Sequence, residues 1–543
     1  MVGLIELFSI ITLEDIIVTA RRDSLLSRVK EVKPDFSRDL SQELRESGCI
    51  SIRTYAGIAS FGIRGSGTEE NTLLLEGIKI ENPISYANLI HIPNAFLRRI
   101  AIFPSGASSY FGSNGIGGVL SFNLRRKPYI YYSYGSFSTH EAGFVLSKNF
   151  YNASLIFGTD ILYSKNNYTY RDEFERTYTW RNADISKGSF YTLARLNNIK
   201  YVNFTSYMDT GSPGIIGSEL LNTRIKDLME LNGLVYKNEY VRVKLSGAHF
   251  YNHYISKDFN TDDTHASGDI SINLKSVSKK SFWASYSYQY AKSTRIGQRK
   301  RHILKAGYIF SQWKYYTGAF RIEELIGHKP VILMDLSFIR DNFSISASRN
   351  FRMPTMNELY WPEELFARGN VALKNEYGYD VECGYRIEQF KGFIYARIIE
   401  NYISWINNKG VYEPTNLERV YVYGFDLYYK FHIKSLMFLL EASLNRSLYR
   451  GYQLQYRPLA KVVGSIKYRG AGLEWIYISP RPEITGPTRY MKAVILFNAL
   501  YKRAYKKLMF GIMLNNIFDV SYQSVRGYPT KGRNIKIWVN IKI

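Results

Sequence analysis

Eight histidines are the first place to look for catalysis or metal binding, and they are scattered through 543 residues. No H-E-x-x-H helix, C-x-x-C pair or G-x-S-x-G elbow sets a reactive side chain beside a partner, so no catalytic residue is assigned and an enzyme is not indicated. Asp258, Asp262 and Asp263 in SKDFNTDDTH offer hard oxygen donors for calcium, but not at the spacing of a known loop. A solvated acidic turn is the preferred reading, and no metal site is assigned. Cys49 and Cys383 are too far apart in sequence to suggest a disulfide framework or metal site, and both read as buried small hydrophobes. The run Gly112-Ser113-Asn114-Gly115-Ile116-Gly117-Gly118-Val119-Leu120 could cradle a phosphate only if it opened a helix after a strand. It leads instead into extended VLSFNL, so a tight turn with close backbone approach is expected. What remains is binding and movement, and the question becomes which elements position the binding groups.

The chain is too long for one ordinary core, which leaves several soluble domains or one large barrel. Its 46 tyrosines and 31 phenylalanines favour an all-β protein, as girdle residues of a membrane barrel or the face of a large sheet. No stretch approaches the roughly 18 to 20 apolar residues that a spanning helix needs. A mean hydropathy of -0.23 is still compatible with spanning strands, whose lipid-facing and lumen-facing residues alternate. The net charge of +24 comes from dispersed Lys and Arg without a nucleic-acid-binding fold. Nucleic acid is therefore not expected as a partner, whereas anionic lipid or an anionic ligand would be attracted.

Two textures divide the chain. Up to Lys127, residues 36–48 (FSRDLSQELRESG) predict a capped helix ending at glycine, and NTLLLEGIKI predicts strand, turn and strand, together a compact α+β domain. From Pro128 onward, period-two segments recur between turns, as in YIYYSYGS and KSFWASYSYQYAKS. In the last, NIKIWVNIKI, Ile535, Ile537, Val539, Ile541 and Ile543 share one face, and Asn534, Lys536, Trp538, Asn540 and Lys542 the other. About 22 such segments fit residues 128–543 at roughly 19 residues each, against ~9 to 11 for a tilted membrane strand. The expected fold is an all-β transmembrane barrel of about 22 antiparallel strands with the N-terminal α+β domain as a plug in its lumen.

Several motifs stand in one order along the chain. They begin with Glu14-Asp15-Ile16-Ile17-Val18-Thr19-Ala20, then Phe61-Gly62-Ile63-Arg64-Gly65, Thr72-Leu73-Leu74-Leu75-Glu76-Gly77-Ile78 and the glycine run at 112–120. Ser212-Pro213-Gly214-Ile215-Ile216-Gly217 follows, then the segment 349–360 (RNFRMPTMNELY) and Gly369-Asn370 with Leu373-Lys374 and Glu376. Asn515-Asn516-Ile517-Phe518-Asp519 and Gly527-Tyr528-Pro529 with Gly532-Arg533 close the series. In these motifs and their order the chain resembles the TonB-dependent outer-membrane receptor family, in particular the compact branch that includes vitamin B12 receptors. There are departures. The family's I-E-V-L-R-G-P-A-S run reads here Ile100-Ala101-Ile102-Phe103-Pro104-Ser105-Gly106-Ala107-Ser108, without its acid and arginine. Asn375 stands where the family has proline, and Ile543 where it ends on an aromatic residue.

The resemblance implies active import of a scarce ligand across the bacterial outer membrane, with a cobalamin-like corrinoid or a ferric siderophore as the cargo. Its implied partners are the periplasmic C-terminal domain of TonB with its inner-membrane motor, outer-membrane lipid and the small-molecule ligand, and no cofactor is implied. Residues 14–20 would be the TonB box, 21–127 the plug and 128–543 the barrel. Residues 1–13 read as an incomplete signal remnant, lacking a basic start and a cleavage site, so the gene is expected to begin upstream. The implied ligand site lies on plug apices at 55–57 and 82–86, with Tyr55, Gly57, Asn82 and Tyr86 as its residues, where Tyr55 and Tyr86 could stack on a flat ligand and Asn82 could hydrogen-bond it. Arg64, with five donors, is expected to lie buried between plug and barrel wall. The alternatives are a passive porin-like channel, a structural or adhesive outer-membrane barrel, and a soluble carbohydrate-binding β protein. The first would lack a folded plug and the second would need no TonB box.

Overall fold

The structure is a computed structural model that describes residues 29–543 apart from 56, 173–174, 258–259, 276–279, 314, 365 and 488. Segments 1–13 and 14–20, with Glu14 through Ala20, lie outside the described residues, as does Asp258.

From Tyr129 to Lys542 the chain forms a closed barrel of 22 long antiparallel strands, and the last strand, Asn534–Lys542, pairs with the first, Tyr129–Gly135. A two-residue ladder, Tyr452–Gln453, extends one hairpin without adding a spanning strand. Period-two chemistry sorts each strand. In the closing strand Ile537 is 51% exposed on the outer surface, whereas Trp538 is 2% exposed and Asn540 is buried on the lumen side. Repeated around the circumference, the outward positions form an apolar belt suited to hydrocarbon, and each strand is laddered to a neighbour on both sides.

The barrel has unlike ends. At the end holding both barrel termini, the fully described connections are turns of two or three residues, such as Asn197-Asn198 and Lys434-Ser435. At the other end stand the longer connections 165–184, 212–223, 353–375, 479–493 and 516–533. Short turns on one side and long loops on the other is the polarity of outer-membrane barrels, with the loops outside.

Within the lumen sits a five-stranded sheet in the order Lys30–Val32, Leu97–Phe103, Gly118–Leu124, Asn71–Leu75, Ile78–Lys79, with the hairpin Ile50–Tyr55 and Ile58–Ile63 beside it. The helix at 36–48 is shorter than its sequence pattern, running Leu40–Arg45, with Asp39 and Gln42 forming a capping box at its start. Glu76 and Gly77 join the strands of NTLLLEGIKI at φ of 50° and 81°, a primed turn. At Gly117 and Gly118 an added Cβ would collide with Ser66 and with the Phe103 carbonyl, which is why the glycine run carries no side chains here.

Two expectations need correction. Asp262 and Asp263 belong to the strand Asn260–Lys275, not to a turn, because the hairpin is longer than the turn chemistry suggests. As strand neighbours they point to opposite faces, so together they cannot grip one cation. Cys49 and Cys383 are only partly buried. Cys383 lies level with outward-facing Ile345 and Ile394, where lipid rather than protein would cover it, and Cys49 lies at the underside of the plug beside Ser47.

Candidate functional site

The plug is pinned to the wall by charges that cross the boundary in both directions. Arg64 is 1% exposed, pairing with Glu382 and, at 2.6 Å, with Asp426, while its guanidinium lies 4.1 Å from the centre of the Tyr395 ring. Burial works against its charge, but the two carboxylates outweigh it and raise the guanidinium above its ordinary value. Arg38 reaches Glu474 at 2.5 Å, and Lys30 reaches Glu441 at 2.5 Å. Glu76 reverses the polarity, a plug acid meeting the wall's Lys200 at 2.9 Å. The acid and arginine missing from 100–108 are therefore not the plug's means of attachment. Spacing offers no clue to Arg38, Lys30 or Glu76, because their partners lie 436, 411 and 124 residues away.

Both proposed apices face the long-loop end, and they touch one another. Tyr55 and Tyr86 are half-buried and joined hydroxyl to hydroxyl. Burial raises both phenols above their ordinary value, so both stay neutral at physiological pH. Asn88, which the sequence did not single out, ties the two apices together, donating to the Gly57 carbonyl at 3.1 Å and accepting from the Ala59 amide at 3.0 Å. Gly57 has φ of 76°, and a Cβ there would lie 2.7 Å from the Thr210 methyl group of the wall, so the turn needs glycine on both counts. Asn82 spends its side-chain oxygen on its own loop, accepting from the amides of Ile84 at 3.0 Å and Ser85 at 3.2 Å. That turn leaves its amide nitrogen as the group able to donate outward.

The barrel motifs converge on these apices. Tyr528 of the Gly527-Tyr528-Pro529 loop lies 5.7 Å from the Tyr55 ring and 6.4 Å from Trp180, which adds two aromatics that sequence order alone did not place there. The Ile216 amide, from the 212–217 motif, donates to the Gly527 carbonyl at 2.9 Å, lacing two outer loops together. In the segment 349–360, Thr355 and Glu358 form a capping box on the helix Met356–Tyr360, while buried Arg352 grips Glu358 at 2.9 Å and Glu376 at 2.7 Å. That clamp holds a loop whose Met356 amide donates to the Pro83 carbonyl at 3.0 Å. Beneath the aromatic cluster a cavity of about 210 Å³ reaches Tyr55, Gly57, Tyr168, Trp180 and Tyr528. This is smaller than the roughly 300–1,000 Å³ of ordinary ligand pockets, so a drug-sized guest would require the outer loops to part.

Comparison with known proteins adds four findings. Residues 37–119 match the model of the TonB-dependent receptor plug domain. The vitamin B12 transporter BtuB of Vibrio vulnificus (strain YJ016) is 25% identical over 228 residues, a stretch that takes in 37% of this chain and 35% of that transporter. Among solved structures, the FrpB iron transporter of Neisseria meningitidis superposes with a TM-score of 0.77 at 12% identity, covering 96% of this chain and 100% of that one. A mutant ferric enterobactin receptor, PfeA of Pseudomonas aeruginosa, reaches 0.75 at 13% identity, covering 98% and 100%. These likenesses in structure concern the fold.

Proposed function

Because the chain belongs to the TonB-dependent receptor family, we propose that it imports a scarce ligand across the bacterial outer membrane, drawing on work done from the periplasm. The pinned plug is the observation that carries this reading. A sheet held across the lumen by Arg64, Arg38, Lys30 and Glu76 leaves no diffusive path for a bulky solute, so passage requires those contacts to be broken. Breaking several buried ion pairs costs more than one ligand contact supplies, and a pulled segment can deliver that work. Such a plug disfavours a passive porin-like channel.

The cargo is a cobalamin-like corrinoid or a ferric siderophore. The joined aromatic apices suit a flat ligand, and the relatives named above include a vitamin B12 transporter and a ferric enterobactin receptor. Binding of purified protein to cyanocobalamin and to a panel of ferric siderophores tests this, and failure of every member would exclude both classes.

Residues 14–20 serve as the coupling strand, with 21–127 as plug and 128–543 as barrel. In strand addition to a periplasmic partner, backbone amides supply the affinity, and β-branched Ile16, Ile17, Val18 and Thr19 favour the extended form. Val18→Pro removes one donor and fixes φ, so it should abolish energised uptake by whole cells while leaving ligand binding at the outer face unchanged. Val18→Ala should be much milder. Wild-type uptake by Val18→Pro would rule out this segment as the coupling strand.

A further inference from the structure

Below the 82–86 apex, between plug and barrel wall, lies a second chamber of about 170 Å³ in the half of the lumen nearer the short turns. It belongs neither to the aromatic cluster nor to the plug's anchoring pairs. Five cationic side chains line it, Lys79 from the plug and Arg242, Lys244, Lys305 and Arg321 from the wall. Facing them are Glu81, Asp269 and the Glu323 that holds Arg321 at 2.9 Å. Lys79 sits 2.7 Å from Glu81, and Lys305 sits 3.5 Å from Asp269. Lys244 is placed differently, since its ammonium donates at 2.8 Å to the backbone carbonyl of Gly77, a neutral group.

Positive charges thus outnumber negative ones in a confined space walled by protein, where each excess cation raises the potential felt by the rest. Ser246, Ser271 and Ser285 add hydroxyl donors to the same lining. Ammonium, guanidinium and hydroxyl donors converging on one space form a donor set for carboxylate or phosphate oxygens. The glycine run contributes to its shape. A Cβ on Gly112 would lie 2.8 Å from an Arg321 nitrogen, so glycine there lets the guanidinium stay in the lining, stacked 4.7 Å over Trp283.

The geometry points to a binding site for an oxyanion-bearing solute, a station on the inward side of the plug that takes the carboxylate or phosphate arm of a passing cargo. The chamber begins beneath the apex, where Ser267 donates to the Glu81 carbonyl at 3.0 Å. It extends toward the rim where the strand Val241–Ile255 begins, so it lies on a path from outer apex to periplasm. Its role as a station rests on the import reading, whereas its chemistry does not.

The test uses the full chain in detergent at low ionic strength, titrated calorimetrically with citrate in one arm and inorganic pyrophosphate in the other. One or both should bind with one-to-one stoichiometry. Raising the salt to about 0.15 M should weaken binding several-fold, as charge recognition requires. Lys244→Met should weaken it at least tenfold, Lys244→Arg should restore most of it, and Lys492→Met, an exposed change in an outer loop, should leave it intact. Circular dichroism checks that each variant keeps its barrel, and Lys305→Met replaces Lys244→Met should the latter not fold. Failure of both probes to bind, or wild-type affinity in a folded Lys244→Met or Lys305→Met protein, overturns the site. Loss of energised uptake in Val18→Pro bears only on import, so the two ideas fail separately.

Discussion

At the scale of single residues, Arg64 shows how one side chain can tie two bodies together. Its forked guanidinium spans Glu382 and Asp426, which stand on two different wall strands, Glu376–Arg386 and Val411–Ile433. Arg64→Ala would leave those carboxylates facing one another without their cation, at a cost of about 3–5 kcal/mol, the usual penalty for removing one member of a buried pair. The plug should then release at a markedly lower urea concentration, followed by limited proteolysis of residues 29–127. Arg64→Lys should recover only part of the loss, because an ammonium cannot fork between two acids. An unchanged release midpoint in Arg64→Ala would show that the anchoring lies elsewhere.

At the scale of elements, the turn between Asn71–Leu75 and Ile78–Lys79 shows why a strained position is retained. Glu76 sits at positive φ, which a non-glycine residue adopts at some cost. From there its carboxylate accepts from the Leu124 amide at 2.9 Å and meets Lys200 at 2.9 Å and Arg126 at 3.3 Å. Burial alone would raise its pKa, but these partners prevail and hold it at about 2, below its ordinary 4.5. A carboxyl depressed on folding stabilises the protein fully above its unfolded value, and that stability is lost as pH falls through the folded one. The window here runs from 4.5 down to about 2. The contribution is about 3 kcal/mol at neutral pH, by the conversion of roughly 1.4 kcal/mol per unit. Glu76→Gln should therefore lower the unfolding midpoint of the plug at pH 7 and make little difference near pH 2. A gap between wild type and variant that does not shrink on acidification would refute this assignment.

At the scale of the whole molecule, the plug and barrel make each other necessary. A barrel of 22 strands leaves a lumen wide enough for a transporter plug, and this one is filled by a sheet whose core runs into the wall through Phe36, Tyr129, Tyr131 and Trp538. In a planar lipid bilayer the intact chain should be electrically silent, and a chain lacking residues 30–124 should pass a large ohmic current. A conducting intact chain would mean that the plug does not seal the barrel.

Much of this was legible in advance because it depends on local chemistry. Alternation with period two is a property of neighbouring residues, so strand faces, an approximate strand number and the existence of a separate N-terminal domain follow from the chain read in order. Turn demands are local too, as along 112–120, and so is the capped start of the helix within 36–48. The cross-lumen pairing was not legible. The spanning strands present polar residues inward among apolar ones such as Tyr131, Phe204 and Trp538, and nothing in the pattern says which of the polar ones will stand opposite a given plug residue. That depends on register and closure, settled only when the Asn534–Lys542 strand meets Tyr129–Gly135. Closure brings Arg64 to Glu382 across 318 residues of sequence and Lys244 to Gly77 across 167. Those long-range meetings hold the plug in place and shape the cationic chamber beneath it.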